Sequence, residues 1–113
     1  MRTMVKWRLE MYRLGFEPLD ERIGGKREAL YRLGNIVVSF ASMRGERLMF
    51  RVNRATTPDA MVLEHLGGII LYELGAKWDA QALEVIEAIA DRTKTSTLAG
   101  MDWAGPIMEE LLK

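Results

Sequence analysis

The chain has no cysteine among its 113 residues. That excludes a disulfide framework, a thiolate nucleophile and a cysteine-ligated zinc site. It also fits a reducing, cytoplasmic setting. Histidine is nearly absent too, with His65 alone, so no pair of imidazoles exists to anchor a metal. The longest near-continuous apolar run, residues 66–72, falls far short of the ~18 residues of a membrane span. Lys6, Arg8 and Glu10 interrupt the first residues, so no secretory leader is expected. Net charge is zero.

Recognisable catalytic patterns are lacking as well. Ser39 and Ser42 sit in a strand-like run without the glycine elbow that exposes a serine nucleophile. Gly24-Gly25-Lys26-Arg27 has the glycines and the cation of a phosphate loop but not the spacing, and a plain turn is the simpler reading. No dinucleotide fingerprint is present. The sequence therefore predicts no enzyme, no cofactor and no metal ion.

What is present is a clear strand pattern. Ile36, Val38 and Phe40 alternate with Val37, Ser39 and Ala41, and Leu48, Phe50 and Val52 alternate with Arg47, Met49 and Arg51. This period of two predicts a hairpin over residues 36–53. A loop of Met43, Arg44 and Gly45 pairs Phe40 with Leu48, Val38 with Phe50 and Ile36 with Val52, all on one face. Gly34-Asn35 predicts a second tight turn. It pairs Leu33 with Ile36, Tyr31 with Val38 and Ala29 with Phe40, completing a three-stranded meander.

Helices are expected on either side. Residues 3–14 carry a helical stripe of Met4, Trp7, Met11 and Leu14, and Gly15-Phe16 is a helix stop. Residues 18–27 read as a connection. Thr57-Pro58-Asp59 is a helix start by capping, by proline at the first position and by dipole. It predicts a second helix to about Leu74, stopped by Gly75 and buried by its apolar centre. Asp79 caps a third helix, residues 80–93, with Ala82, Val85, Ile86, Ile89 and Ala90 inward. Thr95-Ser96-Thr97 reads as a loop, and Pro106 opens a short last helix. The expectation is one α+β domain, a three-stranded antiparallel meander with three to four helices in the order α-β-β-β-α-α-α.

That order resembles the double-stranded-RNA-binding domain, which carries a lysine-rich segment where the helix follows strand three. Thr57-Pro58-Asp59-Ala60-Met61 stands there instead, with one acid and no lysine. The phosphate grip is missing, and membership is rejected.

Charge is divided along the chain. Residues 1–54 carry +6 and residues 55–113 carry −6. Such asymmetry points to a charged partner, or to the two halves facing each other. Arginine outnumbers lysine 11 to 5, which suits planar contacts to carboxylate or phosphate. Arg32, Arg44, Arg47, Met49, Arg51 and Arg54 form the candidate partner surface on and around the hairpin's outer face. The leading expectation is a small non-enzymatic binding or regulatory protein, an inhibitor or accessory protein being one case. Its partners are expected to be another protein or further copies of itself, with the buried second helix a suitable homo-oligomer contact. The alternative is nucleic-acid binding by the same arginines. A small-molecule pocket near His65, Trp78 and Trp103 ranks third. No membrane role is expected.

Overall fold

In a computed structural model, residues 3–20, 28–45, 47–72 and 76–113 are described, with the side chain of Ala76 excepted. The elements run α1 (Met4–Arg13), β1 (Glu17–Asp20), β2 (Glu28–Leu33), β3 (Ile36–Met43), β4 (Arg47–Ala55), β5 (Leu63–Leu71), α2 (Ala76–Ala90), a 3₁₀ segment (Arg92–Gly100) and α3 (Gly105–Leu111). The expected α+β class and antiparallel meander are present, but the sheet has five strands in the order β1-β2-β3-β4-β5. Gly24–Arg27 and Gly75, each given a role from sequence, lie outside the described residues.

Helix α1 ends as its residues dictate. Gly15 takes φ +89°, and Phe16 turns back so that its N–H donates to the Met11 carbonyl at 2.9 Å. This is the glycine-terminated cap that closes orphan carbonyls with an apolar contact. Phe16 is accordingly buried. Trp7 and Met11 bury the inner face of α1, and Arg13 reaches Glu87 on α2 at 3.7 Å.

The β2–β3 register is the expected one, with Leu33 opposite Ile36, Tyr31 opposite Val38 and Ala29 opposite Phe40. The β3–β4 register is displaced by two residues. Phe40 faces Phe50, Val38 faces Val52 and Met43 faces Arg47. The connection still has three residues, but it begins at Arg44 rather than Met43. Gly45 holds the left-handed conformation, φ +70°. A two-residue slip preserves the face of every side chain, so the inward set is unchanged.

Two predicted segments have a different structure. Residues 18–20, expected as the start of a connection, form β1 together with Glu17, which stands opposite Arg32, while Pro18 stands opposite Tyr31. Proline is tolerated there because β1 is an edge. The predicted second helix is not a helix but a turn followed by β5. The Ala60 N–H bonds the Thr57 carbonyl at 3.0 Å, the Met61 N–H bonds Asp59 Oδ1 at 3.1 Å, and the Thr56 N–H bonds the Val62 carbonyl at 3.0 Å. Proline and aspartate serve a tight turn as readily as a helix start. The Thr57 hydroxyl and then the Met61 N–H hold the Asp59 carboxyl below the usual carboxylate range. The fate of β4 decides the outcome. Its central residues are buried, and without β5 half their backbone groups would lack partners.

Helix α2 begins earlier than expected, so Asp79 lies in its first turn rather than at its cap. It ends at Ala90 because the Asp91 carboxylate accepts from the Thr93 N–H and hydroxyl and starts the 3₁₀ segment. The expected loop 95–97 is part of that segment. Pro106 opens α3 as predicted.

The core lies between one face of the sheet and the helices. Phe40 sits 5.4 Å from the Trp7 ring, 5.4 Å from Phe50 and 6.2 Å from Tyr31. Phe50 meets Trp103 edge-on at 6.0 Å. No helix among the described residues is long and apolar enough to cross a membrane.

Candidate interaction surface

Strand alternation sorts the sheet into two faces. Leu48, Phe50 and Val52 point into the core, so Arg47, Met49, Arg51 and Asn53 point out. Their partners on β3 and β5 extend the outer face: Met43, Ala41, Ser39 and Val37 on one side, Ile70, Gly68 and His65 on the other.

One end of this face is closed. Arg32 donates through Nε to the Gly34 carbonyl at 2.8 Å and through Nη1 to the Pro58 carbonyl at 2.7 Å. These bonds tie the β4–β5 turn back over the face. Val37, paired with Arg32, is fully buried as a result. Asn53 donates to the Val37 carbonyl at 3.2 Å and is buried beside it.

The other end is open. Met43, Arg47, Met49 and Ile70 are half-buried, while Arg44 and Arg51 are exposed. Arg47 Nε donates to the Arg44 carbonyl at 2.7 Å, which holds the hairpin tip. The Arg51 side chain has no hydrogen bond or ion pair to the described residues. Gly68 stands opposite Arg51, packed so closely that a Cβ would lie 2.5 Å from the Phe50 carbonyl oxygen, and a concavity of about 450 Å³ is lined by Met49, Arg51, His65 and Gly68. A guanidinium with unused donors beside a thioether suits a carboxylate on an otherwise apolar partner segment.

Of the six candidates, Arg32, Arg47, Met49 and Arg51 share this face, and Arg44 tips the hairpin at its open end. Arg54 does not belong to it. It faces Ile36 across the ladder, on the core side, where it bonds Glu64 and approaches Glu110 of α3 at 3.9 Å. The hydrogen bond and charge of Glu64 hold its guanidinium above the ordinary value. Continuing the alternation of Leu48, Phe50 and Val52 by one step was the signal for this placement. Glu28, opposite Ala41, adds a carboxylate to the outer face, which is therefore not uniformly basic.

The sequence reading missed His65 and Ile70 as surface residues because it placed both in a helix. His65 is exposed on β5. It does not meet Trp78 and Trp103, so that proposed trio is not assembled. Trp103 packs on Phe50 and donates to Gln81 Oε1 at 2.8 Å. Among the described residues no group of three or more histidine, aspartate or glutamate side chains is placed to share a metal ion. No family model, curated protein or solved structure matches this chain.

Proposed function

We propose that the chain is a small non-enzymatic binding protein that docks a protein partner on the open end of its outer sheet face. The observation that carries this reading is Arg51, a guanidinium with no side-chain partner among the described residues, set beside Met49 and Ile70 at the hollow lined by His65 and Gly68. Such a mixture of arginine and methionine without dense charge is the composition of a protein interface. It suits a partner segment with an acidic residue among apolar ones.

The nucleic-acid alternative draws less support. Arg54 is paired with two glutamates on the other face, and Arg32 is bonded to two backbone carbonyls. Glu28 adds a negative charge among the remaining cations. Strong phosphate binding instead gathers many available cations.

Partners recovered on the immobilised native chain supply the ligand for the test. Affinity of the purified partner is then compared between the native chain and the Arg47→Glu, Arg51→Glu double variant. The expected result is weakening of roughly ten-fold or more, from repulsion of the partner's acid. Unchanged affinity would remove the outer face as the docking site.

A further inference from the structure

The two edges of the sheet are treated very differently by the sequence. Edge β1 has four residues and contains Pro18, which blunts it as a template for another strand. Edge β5 has nine residues, Leu63–Leu71, and contains no lysine, arginine or proline. The stretch from Gly67 to Tyr72 has no charge at all. No strand among the described residues covers β5 on the side away from β4, and uncovered apolar edges pair with further strands.

The ladder tells which groups face outward. Ala55 donates its N–H to the Asn35 carbonyl at 2.7 Å. Bonded pairs in an antiparallel ladder recur at every second residue, so the odd residues of β4 bond β3 and the even ones bond β5. The partners of Leu48, Phe50 and Val52 are Leu71, Ile69 and Gly67. The N–H and C=O groups of Gly68 and Ile70 therefore face the free edge, and Tyr72 continues the row.

We infer that a second copy of the chain pairs with this edge, β5 against β5, about a two-fold axis at Ile70. The strand is complementary to itself in that register. Ile70 meets Ile70, which joins the two Met49–Ile70 rows into one apolar band. Tyr72 falls opposite Gly68 of the other copy, so the chain's own aromatic ring enters the hollow lined by Met49, Arg51, His65 and Gly68. An aromatic across a glycine in an edge strand is a stabilising pair, and the ring lies beside Arg51, where a guanidinium is favourable. Tyr72 is 45% exposed. It also lines, with Ile69, Ile70 and Trp78, an apolar hollow of about 230 Å³. The absence of charge from Gly67 to Tyr72 lets identical strands meet without repulsion.

This contact overlaps the partner surface at Ile70 and at the hollow beside Arg51, so a second copy and a docked partner compete there. Sizing and cross-linking read only the chain's own association, and a monomeric result leaves the docking reading standing. Light scattering on a sizing column is expected to give the native chain the mass of a dimer. Ile70→Lys places two ammonium groups at the axis and is expected to run as a monomer with the native far-ultraviolet spectrum. Because the chain lacks cysteine, Ile70→Cys supplies a second test that holds even if the lysine variant misfolds. On mild oxidation it is expected to give a covalent dimer, whereas Leu9→Cys, on the exposed side of α1, is not. A monomeric native chain, or an Ile70→Cys chain that forms no more covalent dimer than Leu9→Cys, overturns the proposal.

Discussion

Phe40→Ala is expected to cost about 3–5 kcal/mol of folding stability, the range for removing a buried aromatic ring. Phe40 is 1% exposed and is the ring on which the core converges. It touches Trp7 of α1, Tyr31 of β2 and Phe50 of β4, and Phe50 passes the contact on to Trp103. Truncation leaves a void that no single neighbour can fill, because its walls come from a helix and two neighbouring strands. A domain of this size has a total stability of about 5–15 kcal/mol, so the loss approaches the whole at the lower end. Denaturant unfolding measures it. A loss below about 1 kcal/mol would mean that the rings do not pack around Phe40.

Gly67→Val is the second large effect, and its sign is the informative part. Glycine inside a strand normally weakens it, and adding a side chain is worth about 0.5–1 kcal/mol. At Gly67 a Cβ would lie 2.7 Å from the Trp103 carbonyl oxygen and 3.2 Å from Ile107 Cδ1. The backbone before α3 rests directly on β5, so valine must push α3 off the sheet. The expected cost is about 1–3 kcal/mol, the overpacking range. Gly100→Ala is the control, since a Cβ there meets nothing within 4 Å. A Gly67→Val chain at least as stable as the native one would contradict the packing of α3 on β5.

These two positions also mark where the sequence was readable. The alternation around Phe40 specified β3, β4 and their inward faces, and Gly34-Asn35 specified the β2–β3 register. The tip of the β3–β4 hairpin was placed one residue early. Face consistency cannot detect that displacement, since a two-residue slip maps inward side chains onto inward side chains. Gly67 lies against the backbone before α3, in a run that reads from sequence as a helix the structure does not have. An apolar run of this length fits a buried helix and a strand equally, and Thr57-Pro58-Asp59 tipped the choice the wrong way. Only the unmet backbone groups of β4 decide it, and those are a tertiary matter. β1 was unreadable because four residues around Pro18 carry no periodicity.

The candidate surface was legible in the same measure. Arg47, Met49 and Arg51 follow from alternation alone. Arg54 was misplaced by stopping the strand one step early. His65 and Ile70 could not be found once β5 was lost. The hollow opposite Arg51 depends on Gly68 pairing across from it, which no local pattern reveals.

The most direct test of the account is a sizing experiment with light scattering on the native chain, alone and mixed with short single- and double-stranded DNA and RNA at low salt. A protein-docking surface predicts that the mass of the chain is the same with and without nucleic acid. A shift onto nucleic acid that reverses as salt rises is the signature of phosphate binding. It would contradict the account and return the arginines of β4 to the alternative reading.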